Sequence, residues 1–172
     1  MGRLGRGRRL PVLQLFVGAV IVAVIGLAWH NAKRLLPGSD SEGALQAVEQ
    51  FYRFEQAGDF GSAWELFHPL MQQRFDKAGY IQKRAHVMMQ DFGVDTFDVE
   101  LGAAKAVADW RMDAAAAPIP KVYQVPVTET FYSPYGNFQL VQNCFAAYEA
   151  GAWKLLWSYQ ADPAQAQLAG AK

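Results

Sequence analysis

The chain has 172 residues, 52% of them hydrophobic, and its 16 basic and 16 acidic side chains give a formal net charge of +0. That balance conceals an asymmetry: all 16 acids lie beyond residue 29, while Arg3, Arg6, Arg8, Arg9, Lys33 and Arg34 leave 10 bases against 16 acids for the remainder, a net of −6. A net-acidic domain argues against nucleic acid and anionic lipid as its partners, and the single Cys144 excludes an internal disulfide and reads as a small buried apolar side chain.

In chain order, the first feature is the run from Val12 to Trp29, VLQLFVGAVIVAVIGLAW, in which Gln14 is the only clearly polar side chain. At about 1.5 Å per residue it would span roughly 27 Å, close to the hydrocarbon thickness of a bilayer. The four arginines before it place residues 1–11 in the cytoplasm and the rest outside. A cleaved signal peptide has a similar basic start, but this run is longer than a signal core and its exit, LAWHNAK, lacks a small-x-small site. A buried helix of a soluble domain would need a polar face that the run lacks. An uncleaved single-pass anchor over 12–29 in a bacterial cytoplasmic membrane is the expectation.

Pro37 and Gly38 make 30–41 a linker. About 130 residues follow the anchor, enough for one ordinary domain, which the sequence bounds at 42–163 before a loose tail over 164–172. From Glu42 to Gln56, Leu45, Val48, Phe51, Tyr52 and Phe54 recur at helical spacing, with Gln46, Glu49, Arg53 and Glu55 assigned to the other side. Ser39 or Ser41 caps this helix. Asp59 caps a second, FGSAWELFH, which Pro69 breaks or bends before a turn over Leu70–Arg74. Asp76 caps a third, KAGYIQKRAHVMMQDF, with Tyr80, Ile81, Ala85, Met88 and Met89 on its apolar face. After Gly93 the period becomes two: TFDVELG, KAVADWRM, KVYQVPVTETFYS, FQLVQNCFAAYEA and AWKLLWSYQ read as strands, with turns at Gly102, SPYGN and Gly151. Tyr123, Val125, Val127 and Phe131 share one face of the third strand, and Pro126 within it points to an edge or a bulge.

Helices first and a meandering sheet afterwards define an α+β class: about three helices packed on one side of a curved antiparallel sheet, enclosing a cone. The segment AVEQFYRFEQAGDFGSAWELFHPLMQQRFDKAGYIQKRAHVMMQDFGV, with the ending AGAWKLLWSYQADP, resembles the nuclear transport factor 2-like superfamily. It is similar in particular to the non-catalytic N-terminal domain of methicillin-resistance-type penicillin-binding proteins. The shared marks are a helix ending in Gly-Asp, an aromatic second helix, a third helix carrying a tyrosine and a final W-K-x-x-W strand, from about Gly43 to Pro163. The S-x-x-K, S-x-N and K-T-G signatures of the transpeptidase domain are absent from this chain, so the resemblance implies a free-standing, membrane-tethered accessory domain.

Some members of that superfamily are isomerases or dehydratases, which need an acid or base and a donor converging in the cone. The candidates are His68, His86, Asp109, Tyr80 and Tyr123. His68 before Pro69 reads better as a surface or capping residue, and His86 has no second ligand at metal spacing. Asp109 reads as a solvated strand position, and the tyrosines fit a core as well as a rim. No catalytic residue, metal or cofactor is therefore expected. Trp64, Tyr80, Trp110, Tyr123, Phe131 and Trp157 are the candidates for lining an apolar ligand pocket, against the alternative that they fill the core. The expected function is non-enzymatic, with an envelope protein or the cell wall as partner and a homodimer through the sheet as a further expectation. A small-ligand carrier or sensor using the cone is the alternative, and a secretion-apparatus component is suggested by analogy of layout alone.

Overall fold

A computed structural model describes residues 39–160. The expected anchor over 12–29, its basic leader, the linker up to residue 38 and the tail lie outside the described residues. Among the described residues no helix is long and apolar enough to cross a membrane.

Four α-helices come first: α1 (Asp40–Gln56), α2 (Phe60–Glu65), α3 (Pro69–Arg74) and α4 (Lys77–His86), the last running on into a π-helical turn, Val87–Asp91. Five strands follow, β1 (Asp98–Leu101), β2 (Lys105–Trp110), β3 (Ile119–Ser133), β4 (Gly136–Glu149) and β5 (Ala152–Trp157), in one antiparallel sheet. The α+β class is as expected, with four helices where about three were read.

Each helix starts at a side chain that satisfies a free backbone donor. Ser39 forms a capping box with Glu42 at the head of α1, so the helix begins at Asp40, inside the expected linker. Asp59 accepts from Ser62 N–H and Asp76 from Gly79 N–H, at the positions read from the sequence. Pro69 acts differently from the expectation. It does not break α2, which ends at Glu65, but opens α3 as its first residue, where the missing N–H costs nothing. His68 is the cap: its Nδ1 accepts Leu70 N–H at 3.2 Å. The freed segment Leu66–His68 lies beside β5, with His68 N–H donating to Leu155 O and Leu155 N–H to Leu66 O, both at 2.9 Å.

β3 is the spine of the sheet. It pairs with β4 on one side and with both β1 and β2 on the other, Leu101 opposite Val127 and Lys105 opposite Gln124. Three residues, 102–104, therefore face two, which is a bulge. Pro126 sits at that interruption and not on a sheet edge. Its carbonyl accepts Gly102 N–H at 2.8 Å on the side where its own N–H would lie, so no ladder bond is lost. A Cβ on Gly102 would stand 3.1 Å from the Pro126 ring, so glycine suits this close approach.

The helix-facing side of the sheet presents Val125, Val127 and Phe131 of β3, Cys144 and Ala146 of β4 and Leu155 of β5, all fully buried. Ala44, Val48 and Phe51 of α1, with Phe67, cover them. α1 comes close enough at Gly43 that a Cβ there would lie 2.3 Å from Trp153 Nε1. Cys144 is buried as expected, and burial pushes its thiol far up. Met89, expected on the apolar face of the third helix, is 58% exposed, because the backbone widens into the π turn just before it. The opposite face of the sheet is partly covered too. Asp109 takes a left-handed conformation (φ +49°), which an aspartate tolerates, and Trp110 then packs on Phe145 of β4 with ring centroids 4.7 Å apart.

Candidate functional site

The six aromatic residues expected to line one pocket lie in separate places. Tyr80 and Trp157 come together, 6.3 Å between ring centroids, in a cluster centred on Phe67, whose ring lies 5.1 Å from each and 5.2 Å from Phe51. These rings occupy the space between helices and sheet. Trp64 is half-buried outside them, its indole N–H donating to Phe75 O at 2.8 Å. Phe131 belongs to a second stack with Phe92, Phe97 and Phe138, all within 5.0 Å of it. Tyr123 packs edge-on against Trp153, and Trp110 lies on the face away from the helices. The Trp157 indole N–H is buried without a hydrogen-bond partner.

Of the acid–base candidates, only Tyr80 joins a polar constellation. His68 is buried and spent on its cap, and burial lowers its pKa against the raising effect of Glu149. His86 and Asp91 face each other at 3.5 Å on the exposed side of the π turn. Asp109 is exposed.

The constellation that does form is a buried ionic cluster. Glu55, expected on the polar side of α1, is fully buried, three residues after Tyr52 and on the same face. Tyr80 and Arg84, four apart on α4, present a matching pair: Tyr80 OH donates to Glu55 Oε1 at 2.6 Å and Arg84 Nε to Glu55 Oε2 at 2.5 Å. From the sheet comes Glu129, 2% exposed, with Oε2 4.0 Å from Arg84 Nη2, beyond hydrogen-bond reach. Gln142 on β4, diagonal to Glu129 across the β3/β4 ladder, uses its amide twice, donating to Glu129 Oε1 at 2.8 Å and to Tyr52 OH at 3.0 Å.

One cation serves two buried carboxylates here. Burial pushes Glu55 up, against the opposing pull of Arg84 and Tyr80. Burial also pushes Glu129 up, to about 7, with Arg84 and Gln142 holding it down and Glu55 adding to the rise. Desolvation works against the Arg84 cation, but Glu55, Tyr80 and Glu129 outweigh it and hold the guanidinium above its ordinary value. Tyr80 is raised by burial and by Glu55, so it stays a donor. The cluster can hold or release a proton near neutrality at Glu129, while Glu55, Tyr80 and Arg84 are engaged with one another.

Beside the cluster, between α1 and β1, runs an open groove of about 370 Å³. Leu45, Tyr52, Val99 and Leu101 supply its apolar lining, and Glu49, Arg53 and Gln56 supply its polar lining. Among the described residues no three His, Cys, Asp or Glu side chains converge as a metal site.

Glu55, Arg84, Glu129 and Gln142 were not singled out from the sequence, yet two of them left a signal. Glu129 falls between Val127 and Phe131 on the apolar face of β3, and Glu55 extends the series Ala44, Val48, Phe51 at helical spacing. A charged residue on an apolar stripe marks either a buried pair or a site. Comparison with known protein families and with curated proteins finds no match to this chain.

Proposed function

We propose that the protein is a non-enzymatic, single-pass, membrane-tethered module whose domain stands outside the cytoplasmic membrane and binds an envelope protein or the cell wall. The apolar run over 12–29 and the arginines before it support the tether, and the order of four helices and five strands supports a nuclear transport factor 2-like cone. One observation carries the reading. The interior of the cone is taken up by Phe51, Phe67, Tyr80 and Trp157, which leaves the outer surface for recognition. On that surface the Gly136–Asn143 half of β4 has, among the described residues, no strand on the side away from β3, and it carries no charge.

The test is capture from solubilised envelope fractions with the full chain and with Val141→Lys, which puts a charge in the middle of that edge. A partner held by the native chain and lost by the variant supports the reading. Equal recovery by both moves recognition to another surface, and no recovery after mild cross-linking removes it.

The groove beside Tyr52 favours a second reading, a small-ligand carrier or sensor. Its size suits a small apolar molecule. Leu101→Trp would fill it, so a compound that raises the melting temperature of the native chain and not of this variant would establish that reading. A library with no such compound would end it.

A further inference from the structure

We infer that the groove between α1 and β1 binds an uncharged molecule with an apolar body and a hydrogen-bond acceptor, that Tyr52 donates to this acceptor, and that it does so only while Glu129 is ionised. This deepens the carrier or sensor reading above, rests on it, and concerns a site outside the ring-filled interior of the cone.

The lining selects the class of ligand. Leu45, Val99 and Leu101 favour an apolar body. The two ions of the lining are engaged with each other, Arg53 Nη2 with Glu49 Oε1 at 2.6 Å, so nothing there calls for a charged ligand. Gln56 is tied by its amide to Phe97 O at 2.8 Å. Tyr52 differs from all of these. It is 2% exposed, its hydroxyl oxygen accepts from Gln142 Nε2 at 3.0 Å, and its own hydrogen meets no acceptor among the described residues. Burial keeps that hydrogen on the oxygen, with Cys144 and Glu129 adding to the effect. Val99 stands directly opposite Glu129 in the β1/β3 register, so the groove adjoins the ionic cluster at its inner end. A ligand oxygen placed there satisfies a buried donor that otherwise stays unmatched.

Glu129 decides, through Gln142, whether Tyr52 has a hydrogen to offer. The groups around Glu129 are Tyr52 and Glu55 from α1, Arg84 and, on Glu55, Tyr80 from α4, Gln142 and the neutral thiol of Cys144 from β4, and the uncharged Val99 from β1. An ionised carboxylate only accepts, so the amide turns its NH2 to it, one hydrogen to Glu129 Oε1 at 2.8 Å and the other to Tyr52. The Tyr52 hydrogen is then free.

Protonation reverses this. Glu129 Oε2 faces the Arg84 guanidinium, which has no lone pair to accept a proton's hydrogen bond. The proton therefore belongs on Oε1, and Gln142 must present its amide oxygen there. That oxygen has two lone pairs, one for the Glu129 proton and one for the Tyr52 hydroxyl, which is no longer available to a ligand. Gln142 is half-buried and its oxygen has no protein partner while Glu129 is ionised, so turning the amide over breaks no other bond. Burial pushes Glu129 up to about 7, which sets the changeover near neutrality. Because the ligand prefers the ionised form, its binding releases a proton and its affinity rises with pH until Glu129 is fully ionised.

The experiment follows the methyl NMR signals of Val99 and Leu101 in the full chain in detergent micelles at pH 6 and pH 8. The probes are cyclohexanone and methylenecyclohexane, which has the same ring and no oxygen. Neither ionises, so their partition into the micelle is the same at both pH values. Cyclohexanone is expected to bind about tenfold more tightly at pH 8 than at pH 6, and methylenecyclohexane more weakly and equally at both. Tyr52→Phe should bring the ketone down to the level of the hydrocarbon, and Glu129→Gln should remove the pH dependence. Ketone and hydrocarbon bound alike by the native chain overturn the acceptor class while the groove reading stands, as does a Tyr52→Phe chain that binds the ketone unchanged. Ketone binding that needs Tyr52 but is equal at pH 6 and pH 8 overturns the control by Glu129. Shifts from neither probe overturn the inference together with the reading it rests on.

Discussion

Under the same helices, the interior beside β5 is built of rings and the interior beneath Glu129 is built of charges. Phe51, Phe67, Phe75 and Trp157 touch through edges and tilted faces, and any of them tolerates a small rotation of its neighbour. Glu55, Arg84, Glu129 and Gln142 are held by directional bonds with one guanidinium between two carboxylates. Tyr80 belongs to both, its ring against Phe67 and its hydroxyl on Glu55. Similar burial thus produces two kinds of failure: loss of a ring opens a cavity, and loss of a charge strands its partner.

The largest effects separate these failures by their response to pH. Phe67→Ala and Arg84→Ala are each expected to cost about 4 kcal/mol in urea unfolding followed by tryptophan fluorescence. At pH 5 the Arg84→Ala deficit shrinks, because the stranded carboxylates take up protons, while the Phe67→Ala deficit stays where it was. Equal deficits at both pH values would mean that Arg84 acts through its alkyl stem and not its charge. Replacing the pair together, Glu55→Leu with Arg84→Met, should restore part of the loss, since an apolar pair of similar volume strands no charge.

Glu129 sharpens the comparison with a slope. Its pKa is raised to about 7, so between the ordinary carboxylate range and pH 7 the native state holds a proton that the unfolded chain has released. Its stabilising contribution is full below about pH 4.5 and is lost as pH rises through 7, by up to about 3 kcal/mol for a group so deeply buried. Glu129→Gln should flatten this slope and raise stability at pH 8. A native chain equally stable at pH 5 and pH 8, measured by the same unfolding curves, would show that Arg84 neutralises both carboxylates.

Tyr80→Phe keeps the ring and removes the hydroxyl, so it tests the junction of the two regions. The expected cost is about 2 kcal/mol, the range for a hydrogen bond to a charged acceptor. A cost near that of Phe67→Ala would place the value of Tyr80 in its ring.

Much of the fold was legible because its signals are local. Ser39, Asp59 and Asp76 each announce a helix by a short polar side chain ahead of an apolar repeat, and the strands announce themselves by alternation. What escaped depends on contacts distant in sequence. The direction in which Glu55 points is decided by Tyr80, 25 residues on, and by Arg84, 29 residues on. Local polarity therefore placed it with Glu49 and Arg53, and the adjacent Phe54 took its place on the apolar face. Trp110 escaped for a different reason: the left-handed turn at Asp109 aims it at Phe145, on the side of the sheet opposite Tyr80. The free edge of β4 was invisible because it depends on where β5 stops. Pro126, read as the mark of an edge or a bulge, marks the bulge between β1 and β2.

The smallest effect lies outside both regions and acts as their control. His68 caps α3 through Nδ1, which accepts Leu70 N–H only while that nitrogen is unprotonated. Burial lowers its pKa, with Glu149 opposing, so the cap is intact above the ordinary histidine value and is lost as pH falls through the lowered one. His68→Ala should cost about 1 kcal/mol at pH 7.5, and His68→Asn, which keeps an acceptor at the cap, should cost less. As pH falls, the difference between native and His68→Asn should close, since protonation removes the cap from the native chain alone. This runs opposite to the Glu129 slope: acid strengthens the ionic cluster and weakens the α3 cap. A stability curve in which Glu129→Gln leaves only an acid-side loss, and His68→Asn leaves only an alkaline-side loss, would assign each limb to its residue. Limbs that respond to both substitutions would mean that the cap and the cluster are coupled through Phe67, which adjoins His68 in the chain and Tyr80 in space.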